Sequence, residues 1–376
     1  MKASFFAENV MHERQKHILT GVQLPTSAIL GAGFSRCANL PTQKEFSDYL
    51  LSDELSVTPL QKSITQVIKH FLRDVFSWRE RPPMPSLEDY FTCIDISANS
   101  GHHLGIQYTP KKLRAIRRMT IHRIFQILDR KYNRSDAIDT FLSNLLRTNS
   151  PGFVVTNWDI VLERGLQYQD ASNRIDYGFE CFNWRSKQRK TSSADDITVA
   201  KLHGSSNWVY CENCSTIFYD LDEKLALHKM IGLIKADFRL FAEEFNNQNF
   251  DDPIGDEPES RKCPLCGNML ATHIATFSFR KSYRTFAYPA IWHNAQTTLS
   301  KSSQWIFVGY SLPDADFEFK HLLKTAELAF RRRRDAETLN ITVVLKDDEA
   351  AESRFRAFFG ERVHEVIQGG LQEFVM

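Results

Sequence analysis

The sequence Thr-Ser-Ala-Ile-Leu-Gly-Ala-Gly-Phe-Ser, residues 26–35, decides how the rest of the chain is interpreted. Its first five residues form a short, mostly apolar run that is typical of a buried strand, and this run leads directly into Gly31-Ala32-Gly33. A Gly-x-Gly turn between a strand and a helix allows the backbone to approach a phosphate closely. The motif also fits a plain strand-to-helix turn, because Arg36 replaces the third glycine of the dinucleotide fingerprint.

Three further apolar runs are also followed by notable polar residues or glycine. They are residues 152–155 before Asn157 and Asp159, residues 199–202 before His203, and residues 305–308 before Gly309 and Ser311. Additional strands are predicted over 338–345 and 364–368. Strands that alternate with helices predict an α/β fold with a Rossmann-like parallel sheet, in which ligands bind beyond the carboxyl ends of the strands. We therefore expect the four strand ends to meet in one crevice.

The polar residues at these strand ends have both catalytic and structural interpretations. Asn157 can orient a water or a ribose hydroxyl, and Asp159 can fix a hydroxyl or a carboxamide, but either could instead cap the following helix. His203 can accept a proton from a hydroxyl or a water, or it can be a structural histidine bonded to the backbone. The sequence alone leaves these alternatives open.

Four of the seven cysteines form two C-x-x-C pairs, Cys211 with Cys214 and Cys263 with Cys266. This spacing predicts a four-thiolate zinc site, and four protein ligands leave no open position, so the zinc would be structural. The segment between the pairs is longer than usual. A helix is expected over about 222–244, with an acidic loop over 251–259.

The sequence divides into four parts. Residues 1–26 are interpreted as an N-terminal arm, residues 44–150 as a helical insertion, and residues 207–272 as a small zinc-knuckle module. A helix is expected to begin near Thr42, where Thr-x-x-Glu matches a capping box. The Rossmann-like domain is assembled from the remaining segments, 27–43, 151–206 and 273–376.

Composition excludes several classes of protein. Lys and Arg total 47 against 46 for Asp and Glu, so no general polyanion binder and no direct sequence-specific nucleic-acid binding is expected. No run of about 18 apolar residues is present, so no membrane span is predicted. The polar start and paired cysteines favour a cytoplasmic location.

The run Arg331–Arg334 is typical of a solvated helix end, with a docking surface as the alternative.

The motifs, taken in order, resemble the sirtuin superfamily. They are Gly-Ala-Gly-Phe-Ser (31–35), Thr-Asn-Trp-Asp (156–159), Lys-Leu-His-Gly-Ser (201–205), the paired cysteines and Val-Gly-Tyr-Ser-Leu (308–312). Deacylase sirtuins follow the glycine loop with a Pro-Asp-Phe-Arg type segment, whereas here Leu40-Pro41 precedes Thr42-Gln43-Lys44. The segment 308–316 and the helical insertion look like the bacterial sirtuin-like proteins of antiphage defence.

The resemblance implies that NAD is bound in the crevice. Gly31, Ala32, Gly33 and Ser35 would form the loop that contacts phosphate or ribose, and Gly309 and Ser311 would line the adenosine side. Asn157 would position water or the ribose, Asp159 would hold the nicotinamide end or the nearby ribose, and His203 would be the general base or a hydroxyl anchor.

The favoured function is an NAD+ glycohydrolase that releases nicotinamide and ADP-ribose and depletes NAD during antiphage defence. One alternative is an NAD-dependent protein deacylase, and another is a non-catalytic nucleotide-sensing subunit of a defence complex. The same resemblance implies a homo-oligomer and a HerA-type ATPase as partner.

Overall fold

The computed structural model describes residues 25–81, 83–147, 151–191, 193, 195–221, 233–245, 262–275, 287–333 and 338–376. The strands of the described part are β1 (Thr26–Leu30), β2 (Gly152–Val155), β3 (Ile175–Asp176), β4 (Cys181–Asn183), β5 (Ile197–Lys201), β6 (Gly204–Cys211), β7 (Thr216–Tyr219), β8 (Leu270–Ile274), β9 (Gln304–Val308), β10 (Asn340–Val344) and β11 (Val363–Ile367).

The α-helices are α1 (Ala32–Arg36), α2 (Gln43–Leu50), α3 (Pro59–Phe76), α4 (Leu87–Ser100), α5 (Pro110–Lys131), α6 (Asp136–Leu146), α7 (Val161–Tyr168), α8 (Lys235–Arg239), α9 (Ala242–Phe245), α10 (Ala287–Lys301), α11 (Phe317–Arg333), α12 (Glu349–Phe359) and α13 (Gly370–Val375). No helix within the described ranges combines the length and apolar character that crossing a membrane requires.

The larger sheet has seven parallel strands in the order β3-β5-β2-β1-β9-β10-β11. From β1 the chain forms β2, then the edge strand β3, and then β5 between these two, before it returns to build β9, β10 and β11 on the other side of β1. This is the doubly wound order, and the predicted Rossmann-like parallel sheet is confirmed. Ligands of such sheets bind where the strand order reverses, which here is beyond the carboxyl ends of β1 and β9.

The central strands are apolar because both faces of the sheet are covered. All five residues of β1 are buried, and so are four of the five residues of β9. In the register of the sheet, Ile29 lies between Val154 and Phe307. Buried parallel strands are expected to be continuous apolar runs rather than alternating ones, and this explains why they could be recognised from sequence.

The segment from Gln43 to Leu146 is helical, as predicted, and contains helices α2–α6. Thr42 is the N-cap of α2. The backbone N–H and the hydroxyl of Thr42 donate hydrogen bonds to Glu45 Oε2, at 2.8 Å and 2.9 Å. Inside the segment, the fully buried guanidinium of Arg123 donates to the carbonyls of Leu55 and Gln61. Helix α5 is thereby tied to the chain that leads into α3.

The smaller sheet has four strands in the order β4-β7-β6-β8. Strand β6 begins at Gly204 and continues to Cys211, so the predicted boundary between residues 206 and 207 falls inside a continuous strand. The predicted helix over 222–244 is partly outside the described residues. In the described part, helix α8 ends at Arg239, and Phe238 and Phe241 are buried on either side of the break. The predicted acidic loop, residues 251–259, lies outside the described residues.

Candidate active site

Two glycine turns pack against each other at the strand ends. The N–H of Gly31 donates to the Val308 carbonyl at 3.0 Å, and the N–H of Gly33 donates to the Gly309 carbonyl at 2.8 Å. A Cβ added to Gly33 would lie 2.6 Å from the Gly309 Cα, and one on Gly309, which has a φ of +61°, would lie 2.2 Å from the Phe34 nitrogen. These glycines therefore allow close contact between the β1 and β9 turns. The N–H of Gly33 already donates a hydrogen bond to Gly309 and is not left to bind a ligand.

Asn157 is held against the first glycine turn. Its Nδ2 donates to the Gly31 carbonyl at 2.8 Å and to the Ser35 hydroxyl at 2.9 Å. A side-chain amide has two N–H donors, so both are used and the Oδ1 acceptor is the group left for a water or a ligand. The Asn157 side chain does not cap the following helix.

Asp159 caps the start of helix α7, which is the structural role that its position before a helix also predicted. Its Oδ1 accepts from the Val161 N–H at 3.0 Å, at the start of α7, and its Oδ2 accepts from the Ser35 hydroxyl at 2.8 Å. Ser35 thus links Asn157 to Asp159. The carboxylate is buried and fixed on both oxygens, so it is a stationary negative charge at the end of β2.

Behind Asp159 lies a fully buried ion pair. Lys201 Nζ donates to the Asp159 carbonyl and lies 3.0 Å from Glu163 Oε1, which also accepts from the Tyr177 hydroxyl at 3.3 Å. The side chains of Lys201 and Glu163 are 0% and 2% exposed. Removing one partner of such a pair leaves an unpaired buried charge, at a cost of about 3–5 kcal/mol. The pair therefore anchors the loop that carries Asn157 and Asp159.

His203 follows β5, and its imidazole contacts the backbone of the loop after β2. Nδ1 lies 2.9 Å from the Thr156 carbonyl. A carbonyl oxygen only accepts, so Nδ1 carries the proton and Nε2 is the acceptor in the neutral ring. One edge of the ring is therefore bonded to the backbone, as expected of a structural histidine. The other edge faces Asp316, whose Oδ1 is 3.8 Å from Nε2.

Asp316 and Tyr310 were not among the predicted site residues. The Tyr310 hydroxyl donates to Asp316 Oδ2 at 3.2 Å. Burial makes the largest contribution to raising the pKa of Tyr310 well above its ordinary value, and the negative charge of Asp316 raises it further. The phenol therefore stays protonated and remains a donor. Asp316 lies one residue before α11, where an aspartate is ordinary as a helix start. Two signals in the sequence pointed to Asp316: its position after a strand-end glycine turn and its place in the segment 308–316, on which part of the resemblance rests.

A single cavity of about 950 Å³ lies at these strand ends. Of the predicted site residues, those that line it are Ala32, Gly33, Ser35, Asn157, Asp159, His203, Gly309 and Ser311. Gly31 does not line the cavity; it contributes the carbonyl that holds Asn157. The expectation that four separated strand ends converge on one crevice is therefore confirmed.

The opposite wall of the cavity comes from the helical segment. Its apolar lining side chains are Phe46, Leu51, Trp78, Pro83, Met84, Leu87 and Leu128. Arg36 on α1 also lines the cavity, half-exposed and 2.9 Å from Glu45 Oε1. Residues 44–150 were predicted to be an insertion with no part in the site, whereas in the structure they form one of its walls.

The four predicted zinc ligands also converge. The thiol sulphurs of Cys211, Cys214, Cys263 and Cys266 lie within 4.8 Å of one another. Two cross-pair separations are 3.4 Å and 3.6 Å, close to the roughly 3.8 Å expected between sulphurs around a tetrahedral zinc with bonds of about 2.3 Å. Hydrogen bonds from Asn268 lower the pKa of Cys266 to about 6, whereas burial raises that of Cys263 to about 12. The cluster fits a zinc ion, which would favour the thiolate form of all four.

No protein-family model matches the chain, and no curated protein matches it. Similar solved structures are Sir2 proteins. A Sir2–p53 peptide–NAD+ complex is 12% identical with a TM-score of 0.43, covering 96% of this chain and 94% of that chain. Sir2 bound to an acetylated peptide is 13% identical with a TM-score of 0.42, with coverages of 96% and 94%. Sir2Tm bound to a propionylated peptide is 12% identical with a TM-score of 0.40, again covering 96% and 94%. Similarity at this level assigns no activity to the chain.

Proposed function

We propose that the protein is an NAD+ glycohydrolase that cleaves the nicotinamide–ribose bond and releases nicotinamide and ADP-ribose. One observation carries the proposal: Asn157, Asp159, His203 and the Gly33 turn line a single cavity at the switch point of a doubly wound sheet. This is where such sheets bind nucleotides. The side chains there have the chemistry that hydrolysis of NAD requires.

The reaction breaks the bond from the ribose C1′ to the nicotinamide nitrogen, and the electron pair leaves with neutral nicotinamide. The ribose passes through an oxocarbenium-like state, as in glycoside cleavage, so a strong nucleophile is not needed. The fixed carboxylate of Asp159 is suited to stabilise this positive charge. Water then adds to C1′, with Asn157 Oδ1 accepting one of its hydrogens and His203 Nε2 taking up the released proton.

The rest of the dinucleotide would lie along the glycine turns. The Gly33 N–H is used by Gly309, so the backbone of Ala32 and the side chain of Arg36 are the phosphate contacts we propose on this loop. The Ser35 hydroxyl already bridges Asn157 and Asp159 and would contact the ribose. Gly309 and Ser311 would line the adenosine side.

The test is nicotinamide release from NAD+, followed by mass spectrometry, for the wild type and for Asn157→Ala and Asn157→Asp. The aspartate variant retains Oδ1 but presents a carboxylate oxygen to the Gly31 carbonyl, so both variants are expected to lose at least about 100-fold in turnover. Asn99→Ala, an exposed position on α4 that does not line the cavity, is the matched control and should retain full turnover. Undiminished turnover in Asn157→Ala would overturn the proposal.

A second candidate, an NAD-dependent protein deacylase, is favoured by the apolar wall of the cavity. Side chains such as Trp78, Met84 and Leu87 could bind an acyl group beside the ribose. An acyl-lysine peptide should then be deacylated with release of O-acyl-ADP-ribose, whereas a glycohydrolase gives free ADP-ribose with or without the peptide. NAD binding without turnover, with partner proteins and phage-derived activators present, would instead support a nucleotide-sensing subunit.

We further propose that NAD depletion in antiphage defence is the biological role, restrained by assembly into a homo-oligomer and by a HerA-type ATPase partner. Arg331, Arg332 and Arg333 are exposed on the last turn of α11 and are one candidate contact surface, and the helical segment is the other. Arg334 lies outside the described residues. Co-purification from a host that carries the neighbouring genes tests the partner, and light scattering tests the oligomer.

A further inference from the structure

We infer that Asp316 is a positioning residue for His203, holding the imidazole in its cavity-facing orientation and stabilising the imidazolium that forms during catalysis. The catalytic role inferred for Asp316 rests on the proposed function. The charge interaction between Asp316 and His203 can be measured without turnover.

The geometry fixes which nitrogen is involved. Thr156 occupies Nδ1 of His203, so Nε2 is the nitrogen that gains a proton, and this nitrogen lies 3.8 Å from Asp316 Oδ1. The distance is too long for a direct hydrogen bond but is within ion-pair range. The two side chains are 9% and 11% exposed, so solvent screens their interaction only weakly.

Asp316 is itself held in place. Its Oδ2 accepts from Tyr310, whose ring packs at 5.5 Å from the ring of Phe319 and 6.4 Å from that of Phe307. The first helical bond of α11 goes to the Asp316 carbonyl, from the Lys320 N–H at 2.9 Å. The carboxylate therefore takes no part in that helical bond, and its charge can be removed without removing the bond.

A carboxylate close to Nε2 favours the protonated form of the His203 ring. The other ionisable side chains that line the cavity, among the residues the structure describes, are Asp159 after β2, Tyr310 after β9, Arg36 on α1, Asp48 on α2, Glu88 on α4, and Lys346 and Asp348 after β10. All of them remain in an Asp316 variant. A difference in the His203 pKa between wild type and Asp316→Asn therefore isolates the Asp316 charge.

The experiment is an NMR pH titration of the imidazole signals, with the His203 signal identified by its loss in His203→Asn. Asp316→Asn is expected to lower the His203 pKa by about one unit. Asp314→Asn should leave it unchanged, because Asp314 is 96% exposed on the same loop, bonds to Lys320, and does not line the cavity. Equal pKa values in wild type and Asp316→Asn would overturn the inference.

Kinetics give the second readout. In Asp316→Asn, kcat is expected to fall about tenfold or more with KM within about twofold, and the acid limb of the pH–rate profile should move to lower pH. A purely structural defect would lower stability and activity without moving that limb. If wild type cleaves no NAD, the proposed function fails while the titration still decides the role of Asp316. An unchanged acid limb with NAD cleavage intact rejects the inference and leaves the proposed function standing.

Discussion

Replacement of Gly309 by alanine tests the packing of the two glycine turns. The residue has a φ of +61°, a conformation that costs an L-residue about 1–2 kcal/mol. The added Cβ would also lie 2.2 Å from the Phe34 nitrogen and 2.3 Å from the Gly33 Cα. These are backbone atoms that cannot rotate away, and such overpacking costs about 1–3 kcal/mol. We therefore expect a loss of about 3 kcal/mol in the free energy of unfolding.

For a chain of 376 residues, this loss corresponds to a fall of about 4 °C in Tm. The β1 turn must also move, and its Gly31 carbonyl holds Asn157, so NAD affinity is expected to fall about tenfold or more. The assays are chemical denaturation monitored by circular dichroism and titration calorimetry with NAD.

Gly101→Ala is the matched control for the backbone contribution. Gly101 has a φ of +75° and no heavy atom within 4 Å of an added Cβ, so it should lose only about 1–2 kcal/mol and retain full NAD affinity. Equal destabilisation of the two variants would refute the argument that steric contact between the turns makes glycine necessary at position 309. Unchanged NAD affinity in Gly309→Ala would refute the coupling to Asn157.

Two further predictions concern the metal and the pH dependence of stability. Cys214→Ser is expected to abolish stoichiometric zinc in mass-spectrometric metal analysis, whereas Cys93→Ser on α4 should retain one zinc per chain; a wild type without zinc would contradict the site. Burial alone would raise the pKa of Glu45, but hydrogen bonds from Thr42 and the charge of Arg36 lower it overall. Its stabilisation is therefore present above its unfolded pKa of about 4.3 and is lost as pH falls through the lower folded value. In urea unfolding, Glu45→Gln should be slightly less stable than wild type at pH 7, and the difference should shrink as the pH falls below about 4.3; a difference that did not change with pH would argue against this account.

Local features were predictable because their physics is local. The buried strand over residues 26–30, the turn after it and the capping box at Thr42 depend on neighbouring residues only, and the structure confirms each of them. The C-x-x-C spacing likewise predicted the four-cysteine cluster, because each pair is a ligand motif by itself. Strand β6 was not predicted, because Gly204 and Ser205 resemble a loop, whereas in the structure Gly204 pairs with Ile274 of β8 and residues 209–211 pair with both β7 and β8.

Composition and short-range sequence pattern are enough to predict the parallel sheet, the helical segment, the paired cysteines and the polar residues at the strand ends. The approach of Asp316 to His203 could not be predicted in this way, because it depends on how distant strands and loops pack. Their strands, β9 and β5, are separated by β1 and β2, a distance of about 14 Å across the sheet, and the loops close that gap. Likewise, helical periodicity marks apolar faces but cannot say which one covers a cavity, because that depends on how the helices pack against the sheet.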